Sequence, residues 1–222
     1  MKIELPVIPP AQLKEQWGGQ FSVFSYYAFV IDVPSPVFII TTLKQNGLAN
    51  AALSAWGMPG GSGKEPKFFL QVHNYTESRA LIERNGEFVV NYPSILLYRK
   101  MRNTVNRFDH ETDEILASGL NHEPSVFVKP PRVAECFACL ECRVDWLKDI
   151  ETEAKVSTLV QASVVHAAID SAVAADSTRE THRRRQWVFD IQETVNPATG
   201  AGDGGLFATL DMGNTISLTE LW

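Results

Sequence analysis

The chain has 222 residues, of which 45% are hydrophobic and 21% are charged, and its formal net charge at pH 7 is −6. This composition is typical of a globular protein and excludes a chain that is disordered throughout. The negative charge provides no broad basic field, so we expect neither nucleic acid nor an anionic membrane surface as a partner.

The N-terminal region is predicted to form a packing arm followed by a strand. Residues 1–19 are rich in proline and then polar, and residues 11–17 allow a short helix. They contain no secretory signal pattern, which favours a cytoplasmic location. Residues 21–31 are aromatic and β-branched and predict a strand. The apolar stretch at residues 26–43 is interrupted by Asp32, Pro34 and Pro36, so we expect no membrane span.

Residues 36–56 predict an antiparallel strand, turn and strand. Residues 37–42 are apolar or β-branched, and the Asn46-Gly47 pair is typical of a hairpin turn. The turn is expected at residues 44–48, and the second strand is expected to begin at Ala49. Small and polar residues follow from Asn50 to Ala55 and end at Trp56. Their backbone and hydroxyl groups could lie close to a flat ligand.

The next segments are predicted to be a loop, a strand and a helix. Residues 57–66 are rich in glycine and predict a mobile loop. Residues 74–86 predict a helix that is capped by Asn74 and ends at Asn85-Gly86. Further helices are expected at residues 94–103 and 109–118. Further strands are expected at residues 67–73, 87–92, 126–128, 134–147, 155–169 and 187–191. For the last third of residues 155–169, a helix is the alternative.

Strands outnumber helices in this pattern, which favours a barrel or a sandwich with peripheral helices. We find no internal repeat and no shift in composition that would divide the chain. The prediction is therefore one domain over residues 1–222, with an N-terminal arm at 1–19 and an irregular C-terminal extension at 176–222.

Three patterns that could indicate other chemistry are incomplete. Cys136, Cys139 and Cys142 follow iron–sulfur spacing but lack a fourth cysteine, so we interpret them as buried structural thiols in a reducing compartment. Along a strand, Cys136 and Cys142 would share one face and Cys139 would take the other. The histidines show no metal-ligand spacing, and the glycine-rich segment before Lys64 lacks the first glycine of a P-loop. We expect no metal site.

Two segments resemble a known family. The residues Gly86 to Asn91 read Gly-Glu-Phe-Val-Val-Asn, and residues 50–56 read Asn-Ala-Ala-Leu-Ser-Ala-Trp, which is similar to an Asn-x-Ala-x-x-Ser-Trp-like element through Asn50, Ala51, Ala52, Ser54 and Trp56. Both resemble the flavin reductase-like, FMN-binding split-barrel family, which includes flavoredoxins, and the resemblance extends over about residues 20–170. It implies a mainly β fold, namely an antiparallel Greek-key split barrel with peripheral helices, and a homodimer.

The resemblance also implies a cofactor site for FMN. The family presents an Arg-x-Thr pattern before its Gly-Glu-Phe strand, and Thr76 and Ser78 occupy those two positions here. They would bind the phosphate with help from the neighbouring Arg79, and His73 is a further candidate for the pocket. The residues expected around the flavin ring are Thr41, Thr42, Asn50, Ala51, Ala52, Ser54 and Trp56.

The implied activity is that of a flavin reductase that transfers a hydride from NADH or NADPH to flavin. No dedicated catalytic residue is expected, because the flavin itself accepts the hydride. One alternative is a flavoredoxin-like carrier that holds FMN and exchanges electrons with a protein partner. Another is a split-barrel interaction module without flavin, since Thr76 replaces the family's arginine.

Overall fold

The computed structural model describes residues 2–15, 18–23, 25–31, 33–106, 108–150, 157–174, 185–191, 196–201 and 207–209. The strands are β1 (Ser35–Pro36), β2 (Phe38–Leu43), β3 (Ala49–Ser54), β4 (Gly57–Gly61), β5 (Pro66–His73), β6 (Glu87–Tyr92), β7 (His122–Glu123), β8 (Arg132–Val133), β9 (Ala138–Asp149), β10 (Ser157–Ile169), β11 (Val188–Asp190) and β12 (Phe207–Thr209). The helices are α1 (Gln20–Val23), α2 (Tyr27–Ile31), α3 (Glu77–Asn85), α4 (Tyr98–Asn103), α5 (Glu114–Ala117) and α6 (Ser171–Ala174), and Ile95–Leu97 form a 3-10 turn. The mainly β prediction is confirmed.

Seven strands form one sheet in the order β3-β2-β6-β9-β10-β5-β4, and all neighbours in it are antiparallel. Its two edge strands, β3 and β4, are consecutive in the chain and are separated only by Ala55 and Trp56. Three Cα–Cα steps span at most about 11 Å. The sheet therefore has to curl until its edges lie close together.

Aromatic contacts across the curled sheet show the same closure. β2 and β5 are four places apart in the strand order, yet the rings of Phe38 and Phe68 lie 5.5 Å apart at right angles. Together with Ile40, Leu70 and Phe88 they form a core inside the curl. These side chains are almost completely buried.

A second core lies on the opposite face of β2 and β6, because successive side chains of a strand point to opposite sides. Ile39 and Val89 belong to it and pack with Met101 of α4 and Ile115 of α5. The short helices α4 and α5 therefore cover the outside of the sheet. A smaller sheet of β1, β11 and β12 is joined to this region through Val37, whose N–H donates to Val188 O at 2.8 Å.

Several predicted elements are confirmed. β2 and β3 form the expected antiparallel pair, and the turn occupies residues 44–48. Only Gly47 of the Asn46-Gly47 pair has a positive φ, of 85°. The helix at residues 74–86 is present as α3, but Thr76 is its cap in place of Asn74. The strands expected at 67–73, 87–92 and 187–191 correspond to β5, β6 and β11, and β10 remains a strand to its end.

Two predictions near the N-terminus and the hairpin are wrong. The predicted strand is replaced by the short helices α1 and α2; Tyr26, just before α2, and Phe29 within it pack with Leu13 in a separate small core. The expected loop at residues 57–66 begins with β4, which pairs with β5 from Gly57 to Gly61. A side chain at Gly57 would lie within 3 Å of the rings of Phe38 and Phe68, so the close approach requires glycine.

Three further boundaries differ from the prediction. Residues 126–128 form no strand, because the N–H groups of Val126 and Phe127 donate to the Glu141 carboxylate. The helix expected at residues 109–118 is only the short α5, and β9 begins at Ala138. Most of the predicted C-terminal extension and part of the N-terminal arm lie outside the described residues.

Candidate functional site

A cleft of about 290 Å³ opens between the edge strand β3, strand β5 and the start of α3. Its volume is close to the lower end of the roughly 300–1,000 Å³ that is typical of small-molecule sites. The apolar part of its wall includes side chains of β2, β3, β5 and the segment between β3 and β4. These are Ile40, Ala52, Leu53, Ala55, Trp56 and Val72.

The structure brings six of the residues singled out from the sequence together at this cleft. They come from two segments that are some twenty residues apart in the chain and that meet because β3 and α3 both pack against β2. The six are Ala52, Ser54, Trp56, His73, Thr76 and Ser78.

Four other predicted residues lie behind the cleft wall. Thr41 is fully buried, and its hydroxyl donates to Pro131 O at 2.5 Å. Thr42 and Asn50 are paired across β2 and β3, and the Thr42 hydroxyl donates to Asn50 Oδ1 at 3.2 Å. Ala51 is buried in the second core, which contains Ile39 and Val89. None of these four side chains lines the cleft, and their assignment to the flavin ring stays a prediction.

A buried network connects the cleft to α5. The amide Nδ2 of Asn50 donates to Glu114 Oε2 at 2.9 Å, and Asn50 Oδ1 accepts from Ser78 Oγ at 2.9 Å. Glu114 Oε1 forms an ion pair with Lys44 Nζ at 2.8 Å, and both side chains are almost completely buried. Because one partner is an anion and the other a cation, the pair avoids an uncompensated charge in the interior.

Lys44 has no unused hydrogen in this arrangement. Besides Glu114, its ammonium donates to Asp109 O at 3.0 Å and to Thr112 O at 2.9 Å. The segment before α5 is therefore fixed to the end of β2. No sequence pattern indicated this network, since Glu114 and Asn50 are 64 residues apart.

A second carboxylate fixes α5 to β3. Asp113 caps α5 by accepting from Leu116 N and also accepts from Ala49 N at 3.2 Å. Burial alone would raise the pKa of Asp113, but its bonds to the His122 ring and to these two N–H groups outweigh burial and lower the pKa. Asp113 is therefore held as a charged cap.

The start of α3 opens on the cleft. Thr76 is the cap, and its hydroxyl donates to His73 O at 2.8 Å while it accepts from Arg79 N at 3.3 Å. The N–H groups of Glu77 and Ser78 are in the first turn and have no partner among the described residues. A helix N-terminus with free N–H groups favours an anion such as a phosphate.

Arg79 does not reach the cleft. Its guanidinium forms ion pairs with Glu83 and with Asp149, the latter at 3.6 Å, and its Nε donates to Thr158 Oγ1 at 3.4 Å. The charge that could have replaced the missing arginine at position 76 is therefore directed to carboxylates on another side of α3. Its part in phosphate binding stays a prediction.

The cleft combines the groups that a flat ring with an anionic tail requires. The wall near Trp56 and Val72 is apolar, and the hydroxyls of Ser54 and Ser78 provide a few polar contacts at its edge. The helix N-terminus provides N–H donors for the tail. The chemistry of these residues fits FMN, which consists of an isoalloxazine ring, a polyhydroxyl chain and a phosphate.

The cysteines contribute no comparable site. All three are free and buried, and burial raises the pKa of Cys136 and Cys142 and raises that of Cys139 to about 12. Cys139 and Cys142 face opposite cores as predicted, but Cys136 precedes β9 and packs on the side of Cys139. In the part of the chain that the structure describes, no group of three or more His, Cys, Asp or Glu side chains could hold a metal ion.

A family model described as the flavin reductase like domain matches residues 31–186. The match covers well over half of the chain, and the chain therefore belongs to the flavin reductase-like family, a class of flavin-binding oxidoreductases. The family predicted from the sequence is confirmed. None of the helices that the structure describes has the length and apolar character needed to cross a membrane.

Curated relatives match only part of the chain. An uncharacterized protein of Methanothermobacter thermautotrophicus is 28% identical over 136 residues, which is 60% of this chain and 63% of the relative. An uncharacterized protein of Aquifex aeolicus is 30% identical over 118 residues, or 50% of this chain and 59% of the relative. The chain thus spans less than two thirds of the length of these relatives.

Similar solved structures cover nearly the whole chain. Component B of nitrilotriacetate monooxygenase from Bacillus cereus has a TM-score of 0.75 at 17% identity and covers 98% of this chain and 100% of its own. A protein described as a flavin reductase with a split barrel domain, from Shewanella frigidimarina, has a TM-score of 0.69 at 13% identity, with 92% and 98% covered. Flavoredoxin from Methanosarcina acetivorans has a TM-score of 0.66 at 17% identity, with 92% and 96% covered. These similarities confirm the split-barrel fold.

Sequence reasoning missed several residues around the cleft. Gln71 and Val72 of β5 line the cleft, and β5 is paired there with the edge strand β4. The segment of β4 was predicted to be a loop, so this pairing was not expected. Phe207 of β12 also lines it, and the residues around Phe207 gave no signal beyond an irregular tail. Period-two alternation in β5 was the only pattern that could have indicated that Val72 faces inward.

Proposed function

We propose that this chain is an FMN-binding oxidoreductase that transfers a hydride from NADH or NADPH to flavin. The observation that carries the proposal is the junction of an apolar wall with a helix N-terminus in one cleft, at the two segments that resemble the family's flavin site. Membership of the flavin reductase-like family supports the same class of reaction.

We assign a role to each part of the cleft. Ala52, Ser54 and Trp56 would lie along the ring, and the N–H groups of Glu77 and Ser78 would receive the phosphate. Bound FMN supplies the redox chemistry, because its ring system accepts a hydride. The protein orients the ligand and keeps water from the apolar wall. Asn50 and Thr42 act from behind by holding Ser78 in place.

The proposal includes a homodimer and a cytoplasmic location. Three free, buried cysteines support a reducing compartment, where disulfides rarely form. The dimer rests on the family resemblance alone, and its test is the mass of the purified protein in solution.

A second candidate function is that of an electron carrier. The similarity to flavoredoxin from Methanosarcina acetivorans favours it, because the two chains share the fold over nearly their full length. Such a carrier would keep FMN bound and would exchange electrons with a protein partner in place of a nicotinamide.

The experiment that tests the proposal is a spectrum followed by a titration. Purified protein is expected to show flavin absorbance or to quench FMN fluorescence on addition, and the loaded protein is expected to consume NADH or NADPH. Protein that binds flavin but consumes neither nicotinamide would support the carrier. If the purified protein binds no flavin, both the reductase and the electron-carrier proposals are wrong. The remaining alternative is then a split-barrel interaction module without flavin.

A further inference from the structure

A second groove, of about 910 Å³, continues from the cleft across the outside of α4. The two share the lining residues Leu53, Val105 and Phe207, so a ligand can extend from one into the other without leaving the surface. We call it the arginine groove; its remaining lining residues are Tyr98, Arg99, Arg102, Asn103 and Asn106.

The charges of α4 are divided between two sides. Lys100 forms an ion pair with Glu135 at 3.3 Å. The side chains of Arg99 and Arg102 are exposed and form no ion pair or hydrogen bond with the described residues. Being three residues apart, they lie on one face of the helix, and that face lines the groove. Two unpaired guanidinium groups are thus placed side by side in a chain whose net charge is −6.

The other groups of the groove favour a nucleotide over a simple anion. Tyr98 is 38% exposed, and its ring lies 5.9 Å from that of Phe207, which also borders the cleft. Asn103 and Asn106 are exposed amides on the same wall. Guanidinium groups bind phosphate oxygens through paired N–H donors, and aromatic rings stack on bases.

We propose that the arginine groove binds the phosphate-bearing adenosine part of the nicotinamide dinucleotide, with Arg99 and Arg102 contacting its phosphates. This inference rests on the proposed function, because the cleft next to the groove is where the flavin would be. A dinucleotide whose phosphates lie at α4 can direct its nicotinamide end past Leu53 into the cleft. Arg99 and Arg102 are then binding residues for the co-substrate and make no contact with the flavin phosphate at α3.

The test measures binding of ADP-ribose, which carries the phosphates of the dinucleotide but no nicotinamide. Calorimetric titration of the FMN-loaded protein is compared for wild type, Arg99→Gln, Arg102→Gln and the double variant. Each single change is expected to weaken ADP-ribose binding by about tenfold and the double change by about a hundredfold, since each removes a charge-assisted hydrogen bond. FMN affinity is expected to stay the same.

A matched control is Lys148→Gln, which removes one positive charge from an exposed position of β9 outside both the cleft and the groove. This variant is expected to bind ADP-ribose as tightly as the wild type does. An equal loss of ADP-ribose affinity in Lys148→Gln would show that the arginine variants act through net charge alone, and it would overturn the proposal. Unchanged binding in the double variant would overturn it as well. The unfolding free energy in urea should be the same for all variants, because the side chains of Arg99, Arg102 and Lys148 form no hydrogen bond or ion pair with the described residues.

Kinetics separate this inference from the proposed function. If the wild type oxidises NADH or NADPH and the double variant raises KM with little change in kcat, both are supported. If the nicotinamide is oxidised with an unchanged KM in the double variant, the groove assignment fails and the function stands. If ADP-ribose binding depends on the arginines but neither nicotinamide is oxidised, the groove stands as a nucleotide site and the function fails.

Discussion

Ser78 Oγ donates its hydrogen bond to Asn50 Oδ1 at 2.9 Å, and this bond determines what Ser78 can offer to a ligand. The orientation of the Asn50 amide is fixed, because its Nδ2 lies 2.9 Å from the Glu114 carboxylate, which can only accept. The oxygen of the amide must then face Ser78 and Thr42.

The single proton of the Ser78 hydroxyl is therefore already used, and the hydroxyl faces the cleft as an acceptor. The same holds for Thr76, since its hydroxyl donates its single proton to His73 O. A phosphate accepts hydrogen bonds and cannot be bound by these two hydroxyls as they are arranged. Its donors at α3 are the N–H groups of the first turn.

The first prediction follows for Ser78→Ala. The change removes an acceptor for the O–H and N–H groups of the ligand but leaves the N–H donors in place, so FMN and riboflavin should lose affinity by the same factor. About fivefold is expected for one neutral hydrogen bond. Fluorescence titrations with both flavins measure it.

The control for this comparison is Ser62→Ala, an exposed serine in the turn after β4, which should change neither affinity. A loss that appears for FMN and is absent for riboflavin would mean that the Ser78 hydroxyl binds the phosphate after all.

The second prediction concerns the ion pair of Lys44 and Glu114. Glu114→Gln leaves the buried ammonium of Lys44 without its counter-charge, and breaking a buried pair in this way costs about 3–5 kcal/mol of unfolding free energy. Urea unfolding followed by tryptophan fluorescence measures the loss. Glu111→Gln, at an exposed position just before α5, is the control and should stay within about 0.5 kcal/mol.

A double variant sharpens this test. Lys44→Met combined with Glu114→Gln removes both charges, and a buried pair replaced by uncharged groups of similar volume is often neutral. The double variant should therefore recover much of the stability lost in Glu114→Gln. If it is less stable than the single variant, the cost arises from packing and the charge argument is wrong.

Local signals in the sequence predicted the parts of the site that depend on short-range geometry. β2 and β3 were predictable from β-branched residues around a turn, and the end of α3 was predictable from Asn85-Gly86. These segments carry the family resemblance, which is why the fold and part of the cleft wall could be expected.

The rest depends on contacts between distant segments, which composition and spacing do not encode. β4 has the composition of a loop, and only its pairing with β5 makes it a strand. Glu114 reaches Asn50 across 64 residues, and the contacts of Arg79 with Asp149 and Thr158 also join segments that are far apart in the chain. The unpaired state of Arg99 and Arg102 is likewise a property of the folded chain.

The third prediction tests the end of α3, which sets the register between the helix and β6. Gly86 has φ 66° and ψ 8°, and its N–H donates to Ile82 O at 2.9 Å. A methyl group there would meet no atom within 4 Å, so Gly86→Ala isolates the cost of the left-handed backbone, about 1–2 kcal/mol of unfolding free energy.

The matched control is Gly63→Ala, which also has open space around it but lacks a positive φ. It should be neutral or should stabilise the protein by up to about 1 kcal/mol, because alanine restricts the unfolded chain. Urea unfolding measures the unfolding free energy of both variants. If the two substitutions change it equally, the left-handed backbone of Gly86 is not the cause of the loss in Gly86→Ala.

The fourth prediction is a pH dependence that arises at Glu141. Burial alone would raise the pKa of this carboxyl, but the N–H groups of Val126 and Phe127 and the Arg132 guanidinium outweigh burial and hold the pKa below its ordinary value of 4.5. A carboxyl with a lowered pKa in the folded state stabilises the protein above pH 4.5, and that stabilisation is lost as the pH falls through the folded-state pKa.

Glu141→Gln should therefore reduce stability at neutral pH by about 3–5 kcal/mol, since Arg132 loses the anionic oxygen Oε1 that accepts from both its Nε and its Nη2. The difference between wild type and variant should shrink as the pH is lowered from 7 through 4.5. Urea unfolding at several pH values measures both effects. The control is Glu65→Gln, at an exposed position in the turn before β5, which should be as stable as the wild type at pH 7. A difference between wild type and Glu141→Gln that stays constant across this range would show that the ionisation of Glu141 does not contribute to acid unfolding.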